Sequence, residues 1–156
     1  MRTTPFWGGK EREKYLLQIF LPEKKLSTYV ETCMGSGAFI GSITIPNSQR
    51  IGIERDNGVY ALNVCIRDFP EELLKKIMNV EYSLQNFNQS HKLLLECNAG
   101  SIENYSLIDL AVAEYSVLIM SHNHMRNNFR NPEKWKECTD SQVRETKKKN
   151  MKYLIG

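Results

Sequence analysis

The sequence predicts an α/β fold, with a few parallel strands at the front and a largely helical second half. Three observations carry this. The stretch "STYVETCMGSGAFIGS", Ser27 to Ser42, runs from β-prone residues into a Gly-x-Gly turn. A second β-prone stretch, "RIGIE" at Arg50 to Glu54, follows a loop marked by Pro46, Asn47 and Ser48. From residue 57 onward the apolar residues recur at helical spacing, and no third strand pattern appears.

Taken in order, "EREKYLLQIFL" at Glu11 to Leu21 places Tyr15, Leu16, Ile19 and Phe20 at helical spacing and stops before Pro22, which predicts a short amphipathic helix. Thr28 to Glu31 reads as a strand entering the glycine turn, a helix is expected after the turn, and Arg50 to Glu54 closes one βαβ unit. "NGVYALNVCIRD" sets Val59, Leu62 and Ile66 on one helical face. "FPEELLKKIMNV" opens with proline and two acids, as a helix N-terminus favours. Helices are also expected from Ser83 to residue 97, closing near Gly100, and over residues 102 to 128. Two strands do not make an independent parallel sheet with both faces covered, so the pattern reads as part of a larger α/β design.

At 156 residues and 41% hydrophobic, the chain has material for one core. It is expected to pack as one domain with two regions, 1–82 and 83–156. No apolar run approaches the length of a membrane span and no secretion signal is visible at the front, so the expectation is a cytoplasmic protein with no membrane partner. Cys33, Cys65, Cys97 and Cys138 form no C-x-x-C pair, which argues against a zinc knuckle and fits buried thiols in a reducing compartment. Residues 1–121 hold 12 Lys/Arg against 14 Asp/Glu, whereas residues 122–156 hold 9 against 4. That basic end, with Phe129, Trp135 and Tyr153 among its cations, fits either a nucleic-acid backbone or a solvated helix.

In an open α/β sheet, ligands lie outside the carboxyl ends of the strands, where a glycine turn lets backbone N–H groups approach them. Gly35 and Gly37 stand at such a turn, and Glu54 ends the next strand 17 residues after Gly37, with Asp56 just beyond. An acid there accepts hydrogen bonds from ribose hydroxyls, so the spacing suits an adenosine-type ligand. No G-K-[ST] follows and the third glycine of the dinucleotide fingerprint is missing, which counts against ATP hydrolysis and NAD. A ligand-free tight turn remains the alternative.

"PFWGGK" at Pro5 to Lys10, "YVETCMGSGAF", "IGIERDNGVYAL" and "FPEELLKKIMNVEYSLQNF" occur in the order and spacing of the adenine-specific DNA methyltransferases of the DNA adenine methylase type, and together they resemble that family over nearly the whole chain. The resemblance implies a partial Rossmann-like methyltransferase sheet, S-adenosylmethionine as cofactor and double-stranded DNA as partner. Carried over, Phe6, Gly8, Gly9 and Lys10 cover the methionine end of the cofactor, with Lys10 near its carboxylate. Trp7 is either a wall of that site or a core plug. Glu31, Thr32, Cys33, Gly35, Ser36 and Gly37 form the cofactor turn, and Glu54 with Asp56 stand where the family's paired acids meet the ribose. The stretch from Asp109 to Arg130 is similar to the target-recognition region, which makes Arg126 and Arg130, with Lys147, Lys148 and Lys149, the candidate DNA contacts.

Two departures shape the expected activity. The family's Pro-Phe in the turn is here Thr32-Cys33. Its catalytic [DN]-P-P-[YF] is absent, since no two of the five prolines are adjacent. The expectation is therefore a cofactor-binding front part, truncated, split or degenerate and inactive alone, with no catalytic residue assigned. The alternatives are a non-catalytic interaction or inhibitor protein, working through a homodimer or a complementing second chain at an exposed sheet edge, and a DNA-binding module. His122, Asn123 and His124 spell H-N-H but are adjacent rather than spread through a nuclease fold, and His122, His124 and Cys138 lack a fourth zinc ligand, so no metal is expected. Glu71 and Glu72 are explained by the start of their helix.

Overall fold

The structure is a computed structural model that describes Ile19, residues 27–42 and residues 49–131. The proposed cap Phe6–Lys10, the basic tail with Lys147–Lys149, and Cys138 lie outside the described residues, as does the Glu11–Leu21 helix apart from Ile19.

Strands β1 (Thr28–Thr32) and β2 (Gln49–Ile53) pair in parallel, Thr28 opposite Gln49 and Thr32 opposite Ile53. Alternation sends Tyr29, Glu31 and Gly52 to one face and Val30, Ile51 and Ile53 to the other. The first face is covered by the connection between the strands: Phe39 meets Tyr29 edge to face at 5.9 Å, and Met34 lies so close to Gly52 that a Cβ there would overlap its sulfur. Among the described residues the second face is open, with Val30 48%, Ile51 37% and Ile53 50% exposed. The described part of the connection carries one 3-10 turn, Ile40–Ser42, in place of the expected α-helix. The α/β reading holds in this coarse form.

Four α-helices follow. Asp56 caps α1 (Asn57–Asp68), its carboxylate accepting from the Gly58 and Val59 N–H groups at 3.0 and 3.1 Å. Pro70 opens α2 (Pro70–Met78), with Glu71 and Glu72 in the first turn and Lys75 and Lys76 in the last, each sign where the helix dipole favours it. Ser83 caps α3 (Leu84–Ala99) through the Asn86 N–H, and Gly100 follows it. Helix α4 (Leu107–Met120) is apolar nearly all round, the pattern of a helix that neighbours enclose. It packs most extensively on α1, then on α3 and α2. The core is built from these contacts: Leu62, Leu73, Ile77, Leu94, Leu110, Val117, Leu118 and Met120 are all at 2% exposure or less.

The continuous helix expected over residues 102–128 is corrected. A 3-10 turn at Ile102–Asn104 precedes α4, and Ser121, in extended backbone, ends α4 at Met120. The chain then makes a 3-10 turn at His122–His124 and returns so that Ser121 bridges Phe129. The His122 N–H donates to the Asn128 carbonyl at 2.9 Å and the Arg130 N–H to the Met120 carbonyl at 2.7 Å, bonds that replace the helical ladder. Phe129 fills the space between Tyr82 and Phe87, with ring centres 5.7 and 5.6 Å away. Among the thiols, Cys65 and Cys97 are buried as expected, and burial pushes Cys65 up to about 11. Cys33 is exposed, because its left-handed backbone (φ 60°) turns it out of β1 toward solvent. No described helix is long and apolar enough to cross a membrane.

Candidate functional site

The glycine turn sits at the carboxyl end of the parallel pair. The Met34 N–H donates to the Ile53 carbonyl at 3.0 Å, extending the strand pairing by one rung. The Gly37 N–H then closes a turn on the Met34 carbonyl at 3.1 Å. Gly35 (φ 56°) and Gly37 (φ 67°) both take the left-handed conformation, where a side chain would be strained. From α1, the Asn63 amide donates to the Gly35 carbonyl at 2.8 Å and to its own Val59 carbonyl at 2.9 Å, so the helix fixes the turn.

Three acids surround this turn. Glu31, 4% exposed, accepts from the Ile40 N–H at 2.9 Å and so anchors the far side of the loop from beneath. Glu54 accepts from the Gly35 N–H at 2.7 Å with one oxygen, and from the Arg55 and Asp56 N–H groups at 2.9 and 3.0 Å with the other. A carboxylate has about four acceptor positions, so Glu54 retains one for a ligand. Asp56 is saturated. One oxygen caps α1, and the other accepts from Arg126 at 2.8 Å and from the Asn98 amide at 3.4 Å.

Arg126 joins this cluster to the core. Its guanidinium also reaches Glu114 of α4 at 2.9 Å, and Glu114 is fully buried. The contact is one of charge, since neither Glu114 oxygen has a hydrogen-bond partner among the described residues. Burial, opposed by Arg126 and reinforced by the nearby charges of Asp56 and Glu54, leaves the Glu114 carboxyl pushed up to about 7. For Asp56 burial also acts upward, but the Arg126 hydrogen bond and charge and the two cap N–H groups outweigh it, and the carboxyl lies below its ordinary value.

The structure thus gathers Glu31, Gly35, Ser36, Gly37, Glu54 and Asp56 at one end of the sheet, with Ser36 buried and Thr32 and Cys33 exposed on the same turn. Arg126, read from sequence as a DNA contact, has its guanidinium committed to Asp56 and Glu114 and is 22% exposed. Arg130 is partly buried, its N–H on Met120 and its carbonyl accepting from the Tyr82 hydroxyl at 3.0 Å. His122 and His124 lie in the 3-10 turn, and the His124 ring Nδ1 sits 2.8 Å from the Leu118 carbonyl. Among the described residues no group of three or more His, Cys, Asp or Glu is arranged to hold a metal. Sequence reasoning missed Asn63, Asn98 and Glu114. Only Glu114 left a signal, as the lone acid inside the apolar run "LAVAEYSVLIM".

No protein-family model matches the chain. Neither a curated protein nor a solved structure matches it.

Proposed function

We propose that this chain is the S-adenosylmethionine-binding front part of a DNA adenine-N6 methyltransferase, inactive alone. The observation that carries the reading is the Gly35–Glu54 hydrogen bond between a left-handed glycine turn and an acid at the ends of two adjacent parallel strands. Such a placement brings close-approaching glycine backbone and one carboxylate acceptor to a nucleoside. Glu54 takes the ribose hydroxyls, while Asp56 holds the helix and Arg126. Gly35, Ser36 and Gly37 contact the cofactor through backbone, and Phe6, Trp7, Gly8, Gly9 and Lys10 supply its methionine end. No residue of this sequence holds an adenine amino group in the way D-P-P-Y does, so electrostatic stabilisation of methyl transfer is assigned to none of them.

Calorimetry decides the reading. Titration with S-adenosylmethionine and S-adenosylhomocysteine should give saturable binding that Gly35→Ala weakens by on the order of tenfold or more, since a Cβ is strained at φ 56°. Absence of heat at millimolar ligand sinks it.

The open Val30–Ile51–Ile53 face favours a second reading, a non-catalytic interaction protein in which a second chain or a second copy docks at the exposed sheet edge and covers this face. Light scattering after size exclusion tests the homodimer form of it, and a monomer at high concentration rejects that form. Double-stranded DNA enters either reading through the basic tail. Removing Lys147, Lys148 and Lys149 should then weaken duplex binding and flatten its salt dependence.

A further inference from the structure

The hydrogen bonds of the glycine turn do not end at the paired acids. The Gly35 N–H donates to Glu54, the Asp56 N–H donates to the other Glu54 oxygen, and Asp56 accepts from Arg126, at 2.7, 3.0 and 2.8 Å. Arg126 is 70 residues away in sequence from Asp56, on the segment that follows α4. Its backbone takes the left-handed conformation (φ 65°), which a side chain rarely adopts, and its N–H donates to the Ser121 hydroxyl at 3.0 Å. What holds this strained residue is a two-sided contact of its guanidinium, with Asp56 at 2.8 Å and with the fully buried Glu114 carboxyl at 2.9 Å. The room for Glu114 comes from Gly58, where any Cβ would stand 2.7 Å from the carboxylate oxygen and 2.6 Å from Leu94.

We propose that Arg126 is a positioning residue that couples residues 121–131 to the glycine turn through Asp56 and Glu54. The segment and the turn then order together. A ligand that uses Glu54 tightens the 121–131 segment, and whatever docks on that segment tightens the ligand site, because coupling between two sites is reciprocal. The ligand side of this inference rests on the S-adenosylmethionine reading, but the coupling itself does not.

Hydrogen exchange read by NMR on the full chain tests it. In Arg126→Gln the Gly35 and Asp56 amides should exchange on the order of tenfold faster, while the Leu94 and Val117 amides of the core stay unchanged. Arg126→Lys keeps the charge but not the two-pronged contact, and should fall between wild type and Arg126→Gln. S-adenosylmethionine affinity should drop in the same order, on the order of tenfold for Arg126→Gln. Should Arg126→Gln fail to fold with Glu114 left unpaired, Glu114→Gln/Arg126→Gln removes both buried charges and carries the same measurement. Unchanged exchange at Gly35 and Asp56 in the folded variant overturns the coupling. If wild type takes no ligand, the functional reading falls, and the exchange data still decide the coupling on their own.

Discussion

Along α4 nine of fourteen residues are buried, whereas β2 has no buried residue and β1 has only Glu31. The strands carry fewer apolar side chains than α4, yet Val30, Ile51 and Ile53 stay exposed, so composition alone does not explain the contrast. Helix α4 has α1, α2 and α3 around it, and its backbone bonds are satisfied within itself. A parallel pair of strands needs elements on both faces, and here the strand connection covers one of them. Among the described residues burial is therefore concentrated in the helices, while the sheet contributes the geometry of the site.

Truncation within the buried helix should cost the most. Leu118→Ala removes a side chain that is 1% exposed in the last turn of α4, and should lower unfolding free energy by about 2–5 kcal/mol in a denaturant titration. Glu114→Gln comes next and depends on pH. The folded carboxyl titrates at about 7 against an ordinary value of 4.5, so folding favours its protonated form. That preference is complete below 4.5 and is lost as pH rises toward 7, where the unfolded chain ionises and the folded one resists. The amide does not ionise. Glu114→Gln should match wild type near pH 4.5 and be the more stable by about 1–3 kcal/mol at pH 8, read from thermal midpoints across that range.

Tyr115→Phe should be smaller and stabilising. The hydroxyl is buried without a hydrogen-bond partner among the described residues, so its removal should raise stability by about 1 kcal/mol. Smallest of all is Ile53→Ala on the open sheet face, expected within about 0.5 kcal/mol of wild type for the isolated chain. A loss as large as that of Leu118→Ala would show that the two regions are equally committed to stability.

The helices were legible because their ends carry local chemistry: Pro70 with two acids, Ser83 with Gly100, and the periodic face of Val59, Leu62 and Ile66. The turn was legible from its glycines, whose left-handed geometry few other residues share. The end of α4 was not, because its termination depends on Phe129 returning to pack against Tyr82 and Phe87, a tertiary event. For the same reason Asp56 was read as a ligand acid. An Asp just before a helix is also a cap, and only the approach of Arg126 from far along the chain commits its other oxygen.

The close fit of Gly58 over Glu114 and Leu94 has a consequence for how this sequence can change. A side chain at position 58 forces both the Leu94 methyl and the Glu114 carboxyl to give way, and displacing Glu114 takes it from the Arg126 guanidinium. Positions 58, 114 and 126 are therefore bound into one unit of inheritance. In any lineage that carries this fold they should be kept together or replaced together.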